Sequence, residues 1–449
     1  MRWQLVIAAA LWVLIPDLAT AGDNWPKFRG PDGTGVAENP RLPDRWSATE
    51  NIAWKTDIPG RGWSCPVVWG DRVFLTTAVN TGATPDAKKG LYFGGEQSKP
   101  PETEHHWKVY CLNLKTGSVE WEQTAHKGVP ATTLHIKNTY ATETPVTDGE
   151  RIYFLFGNVG VFCYDLGGKL IWSKPIEPRR MQAGWGTAAS PALHGDRLFL
   201  VNDNQEQSYL QALDTRTGDE IWRVERDEKS NWATPFVWQN DQRTELVTPG
   251  TKKMRSYDLD GKLLWEFAGA SAITIATPYA ADGLLYLSSG YVLDPKRPMY
   301  AVRPGASGDI TLASGQNSNE FIAWCDRTAA PYNPSTLVYK DRLYVLYDMG
   351  LFACFDARTG QEIYGGGNKK MRIPNGRACT ASPWAYNGKV FCLNEYAETF
   401  VIEAGADEFK LLHTNSLGDE ETALATPAIV GDRLLIRTAQ RVYCVRQPE

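Results

Sequence analysis

The sequence predicts an all-β fold, an eight-bladed β-propeller whose ring is closed by an N-terminal strand pairing with the last blade. Three observations predict it. A strand-turn-strand phrase that opens on a proline recurs eight times along the 449 residues. The phrase repeats at the length of one four-stranded blade, about 40–50 residues. The last copy stops one strand short, and a matching strand precedes the first.

Seven openings are Cys65-Pro66, Thr144-Pro145, Ser190-Pro191, Thr234-Pro235, Thr277-Pro278, Ser382-Pro383 and Thr426-Pro427, and the eighth, Pro334-Ser335, has the order reversed. Each leads through a Gly/Asp/Asn turn into an apolar strand, as in Gly195-Asp196-Arg197-Leu198-Phe199. From Pro145 the steps are 46, 44 and 43 residues, and Pro383 to Pro427 is 44. Two steps are longer: 79 from Pro66 to Pro145, expected as a blade-one insertion near 79–107, and 56 from Pro278 to Pro334, expected as a loop around 311–331.

The second half of the phrase is a hairpin whose turn demands positive φ, which is why glycine ends it. Leu213-Asp214-Thr215-Arg216-Thr217-Gly218 before Ile221-Trp222 is the fullest copy. The last blade ends at Tyr443-Cys444-Val445, and Ile52-Ala53-Trp54-Lys55 matches its missing strand, so the chain start is expected to close the ring and remove the open edges.

Ala212, Asp214, Thr217, Gly218 and Trp222 match, residue by residue, the repeat of the pyrroloquinoline-quinone (PQQ) dehydrogenase-like propellers, which this chain resembles from about Ile52 to Cys444. The resemblance implies a quinoprotein alcohol dehydrogenase-like fold in which the repeat aromatic docks on the next blade, here Trp54, Trp121, Trp172, Trp222, Trp265 and Tyr364. The repeat builds quinone enzymes and also the cofactor-free lipoprotein of the β-barrel assembly machinery. The opening Asn24-Trp25-Pro26-Lys27-Phe28-Arg29-Gly30-Pro31 is similar to the start of secreted planctomycete-type members.

Met1-Arg2, an apolar run from Leu5 to Ile15 and Ala19-Thr20-Ala21 have the form of a secretory leader over 1–21. That run is too short to span a bilayer. The expected organisation is a signal peptide at 1–21, an extension at 22–50 and the propeller at 51–449, in a periplasmic or extracellular protein whose mature chain has no transmembrane segment. A net charge of −5 without a basic stripe argues against nucleic acid. Cys111, Cys163, Cys354 and Cys444 share the repeat position of Ala212 and are read as small buried hydrophobes, since equivalent positions lie in different blades. A Cys379–Cys392 disulfide within one blade stays open, and Cys65 and Cys325 are undetermined.

In a propeller the loops entering each innermost strand and those between the second and third strands share the channel mouth. They carry the pocket candidates Trp63, Tyr140, Trp185, Asn202, Asn204, Trp232, Asp348, Arg377, Asn394 and Glu395. Apolar walls with a few placed polar groups are what ligand pockets use. A quinone enzyme would add a calcium ion, an aromatic floor such as Trp185 or Trp232, Arg377 as cofactor partner and Asp203 or Glu143 as base. The adjacent-cysteine pair of familiar quinone dehydrogenases is missing. His105-His106 with Glu102 and Glu104 reads as solvated loop rather than metal centre, and no metal is assigned.

The favoured reading is therefore a non-catalytic scaffold binding an envelope or secreted protein, peptide or polysaccharide, without a cofactor and with no catalytic residue assigned. The alternative is a dehydrogenase oxidising an alcohol or sugar with PQQ and Ca²⁺ at the mouth.

Overall fold

The computed structural model describes residues 24–448 apart from Phe93 and residues 96–98, so the leader expected at 1–21 lies outside the described residues. The described residues form eight sheets, each with four antiparallel strands at its heart. Blade one runs Val67–Trp69, Arg72–Asn80, His105–Asn113 and Val119–Gly128 from inside outward. Innermost strands neighbour one another from blade to blade, and that of blade one lies beside that of blade eight.

Closure follows the expected pairing. Ile52–Asp57 is the outer strand of blade eight, with Trp54 opposite Cys444 and Lys55 opposite Tyr443.

The residue before each opening proline has a structural task. The Thr144 hydroxyl accepts the Cys65 amide at 3.0 Å and the Ser190 hydroxyl accepts the Thr144 amide at 2.9 Å. The Ser190, Thr277, Ser335 and Ser382 amides likewise reach Thr234, Ser335, Ser382 and Thr426. Small hydroxyl residues recur there because, at these six steps, one blade satisfies an amide of its neighbour. The reversed order in blade six is explained: Ser335 holds the ring position, and Thr336 stands where the other blades have proline.

The Thr-Gly…Trp pattern is equally physical. At Gly218 φ is +72°, and a Cβ there would sit 2.6 Å from the Trp172 ring of the preceding blade. The indole N–H of Trp172 donates to Thr215 O at 2.9 Å. Trp54, Trp121 and Trp222 dock in the same way on Leu114 O, Leu166 O and Leu259 O. Trp265 instead donates to Glu245 of its own blade at 2.7 Å, because blade five replaces the tight turn with a longer connection whose Gly308 pairs beside it. Trp324, absent from the expected set, docks on Ala357 O, while Tyr364 stacks on Phe352 within its blade. Cys111, Cys163, Ala212, Cys354 and Cys444 are all buried and lie opposite these aromatics in the strand register. All eight cysteines are free and buried.

Two connections differ from expectation. Val79 and Trp107 are already paired within blade one, so its insertion is residues 81–104, and His105 and His106 belong to a strand rather than a loop. The stretch 311–331 contains Ile322–Asp326, the outer strand of blade five.

The N-terminal extension belongs to the core. Trp25 exchanges backbone bonds with Val68 of blade one, Pro26 O accepts from Thr147 of blade two, and Lys27 lies 5.9 Å over Phe236 of blade four. Arg29 donates to Thr336 O at 2.8 Å and its guanidinium covers Tyr279 at 4.8 Å, while Ala37 pairs with Ala385 of blade seven. The segment thus crosses the channel along the far ends of the innermost strands, opposite the mouth.

Candidate functional site

The channel opens at the mouth into a cavity of about 510 Å³. Phe28 from the crossing segment lines it, as do the blade-opening residues from Cys65 to Thr426. Trp63, Trp185, Trp232, Tyr291 and Tyr332 contribute aromatic walls. Trp185 and Trp232 lie 5.8 Å apart, Tyr291 and Tyr332 5.4 Å apart, and all four belong to one cluster.

The described residues of the insertion reach the rim of the opening at three points. Lys89 Nζ donates to Asp419 O at 2.7 Å, the Gly90 amide to Glu395 at 2.8 Å, and Gly95 O accepts the Ile136 amide at 2.7 Å. Leu91 and Tyr92 therefore line the cavity and still face solvent, at 45% and 44% exposure.

Of the sequence candidates, the structure brings Trp63, Trp185, Trp232 and Asp348 together in this cavity. Glu395 is buried beside it, accepting from Lys137 at 2.5 Å and Thr380 at 2.6 Å, both cavity residues. The others lie elsewhere. Tyr140 lines a separate cavity of about 240 Å³, and Asn202 and Asp203 line a small cleft. Asn204 and Asn394 close their own turns, and Arg377 stacks on Tyr396 at 3.7 Å. Glu143 accepts from the Thr187 hydroxyl at 2.6 Å, and burial pushes its carboxyl up. Sequence reasoning missed Lys137, Tyr291, Tyr332 and Asn333; the same mouth-loop rule applied to blades five and six would have found the last three.

Asp348 is 4% exposed, and its carboxylate accepts the Tyr332 and Asn333 amides, both at 3.1 Å. Burial pushes its pKa from 3.8 up to about 6. A carboxyl raised on folding contributes stability at low pH that is lost as pH climbs through the folded value. The stability of the wild type relative to Asp348→Asn is therefore expected to fall between pH 4 and pH 8, by on the order of 3 kcal/mol. Urea denaturation of both proteins at the two pH values checks this; a flat difference would contradict it.

The donor set does not fit a quinone–calcium pair. Ca²⁺ takes six to eight oxygen ligands. The cavity wall offers one carboxylate already engaged by two amides, and among the described residues no group of three or more His, Cys, Asp or Glu is placed to hold a metal. Arg377 and the proposed bases Asp203 and Glu143 do not line it.

Fold and repeat together define the class: an eight-bladed propeller of PQQ-like repeats. The chain belongs to the family described as outer membrane protein assembly factor BamB, whose model matches residues 103–206 and 206–448. Among solved structures it is similar to BamB from Moraxella catarrhalis, at 12% identity and TM-score 0.57, covering 88% of this chain and 98% of that one. It is also similar to the quinohemoprotein alcohol dehydrogenase from Comamonas testosteroni, at 12% identity and TM-score 0.59, covering 96% and 82%. At such identities the likeness is one of fold. No curated protein sequence matches this chain.

Proposed function

We propose that this chain is a non-catalytic binding module of the cell envelope or the exterior, docking a protein or peptide partner at the propeller mouth. One observation carries this reading: Leu91, Tyr92, Val292, Leu293 and Met349, exposed by 38–67%, all line the mouth cavity of about 510 Å³. An apolar patch surrounding a pocket marks an interaction site. Polysaccharide, which presents hydroxyls, matches such a rim less well than polypeptide. The family description, an outer membrane protein assembly factor, supports an exported setting, and no helix among the described residues is long and apolar enough to cross a membrane.

The test is photocrosslinking in the exporting cell, with p-benzoylphenylalanine placed at Leu293 or, as control, at Ile221 on an outer strand. A protease-sensitive adduct from position 293 and none from 221 is expected. Equal adducts at both positions, or none at 293, would remove the mouth as the docking site.

A further inference from the structure

Asp348 lines the mouth cavity beside Tyr332, whose amide donates to its Oδ2 at 3.1 Å. Among the described residues no cation lies within ion-pair distance of it: Lys137, the charge facing it, is held by Glu395 at 2.5 Å. Burying a carboxylate without a counter-ion is costly. The cavity that it lines also carries the rings of Tyr291, Tyr332, Trp185 and Trp232, one cluster whose ring faces attract cations. Asp348 and Tyr332 belong to blade six and the other rings to the mouth loops of blades three, four and five, and all of them line the same open cavity.

We infer that the mouth receives a basic side chain of an extended polypeptide partner, its ammonium or guanidinium passing between these rings to reach Asp348 while the flanking apolar residues of the partner cover the rim. The inference rests on the docking reading above and names its chemical determinant. Three features converge on it. The missing counter-ion calls for a cation, the aromatic walls accept the long alkyl stem as well as the charge, and the rim of Leu91, Tyr92, Val292, Leu293 and Met349 extends the contact beyond what a free amine would fill.

The probes are two peptides with blocked ends, acetyl-Leu-Phe-Lys-Phe-Leu-amide and its counterpart with norleucine at the centre, titrated into the mature protein by calorimetry. At pH 8 the lysine peptide is expected to bind at least tenfold more tightly. In Asp348→Asn that preference should vanish. Tyr291→Leu, which leaves the Asp348 hydrogen bonds intact, should reduce it. In the wild type the preference should also shrink at pH 5 as Asp348 protonates, and not in Asp348→Asn. The groups facing Asp348, namely Lys137, Glu395, Tyr332 and Cys379, together with His135 in the same cavity, are common to both proteins and cancel in the comparison.

Equal affinity for both peptides would sink the cation inference and leave mouth docking standing. Failure of both peptides to bind, with the Leu293 crosslink intact, would have the same meaning. If n-butylammonium binds as tightly as the lysine peptide, the site belongs to a free amine and the polypeptide assignment falls. Loss of the crosslink as well would remove the docking reading itself.

Discussion

Replacing Arg226 with leucine is expected to destabilise the fold by about 3–5 kcal/mol, because it strands a buried carboxylate. Arg226 and Asp203 both have fully buried side chains, joined by two bonds of 2.8 and 3.0 Å. The guanidinium also donates to Thr248 at 2.7 Å and Tyr257 at 3.1 Å in blade four, so one side chain ties two blades together at the mouth. Removing both charges at once, as Asp203→Leu with Arg226→Leu, should recover part of the loss, since the desolvation penalty disappears along with the attraction. Urea denaturation followed by tryptophan fluorescence reads both effects. A cost below about 1 kcal/mol for the single variant, or a double variant that loses the full sum, would mean that the pair is not electrostatically isolated.

Trp54→Ala should cost a similar 3–5 kcal/mol, the range for emptying a large buried aromatic site. Trp54 is buried, donates to Leu114 O at 2.9 Å and covers Gly117 of blade one while its strand completes blade eight. It therefore latches the last blade to the first. Trp222→Ala removes the equivalent contact between blades three and four, where the chain is continuous. The two variants should lose comparable stability, yet only Trp54→Ala should raise amide exchange in Arg433–Arg437 and Arg441–Val445. Unchanged exchange there would show that closure relies on backbone pairing alone.

Much of this was legible in the chain because the repeat is local. Asp214 accepts the amides of Arg216 and Thr217 within its own turn, and Gly218 supplies the positive φ that the turn needs. Interactions spanning two to four residues leave a pattern any copy can display. Trp265 departed from the pattern because its neighbour's turn, not its own strand, had changed. At the mouth, the rule that certain loops converge found Trp63, Trp185, Trp232 and Asp348, but gave no means of ranking them against Tyr140, Arg377 or Asn204, whose side chains turn to other partners.

By itself the sequence determined the number of blades, the identity of the closing strand and the class of repeat, since each depends on residues adjacent in the chain or related by a fixed step. Only the tertiary structure decided that residues 25–37 run across the innermost strands of several blades, that Lys137 pairs with Glu395 across 258 residues, and that Asp348 shares a cavity with aromatic rings while no cation among the described residues lies within ion-pair distance of it. Those outcomes depend on where eight separate loops meet in space, and the strength of a buried charge is set by what surrounds it rather than by what precedes it in the chain.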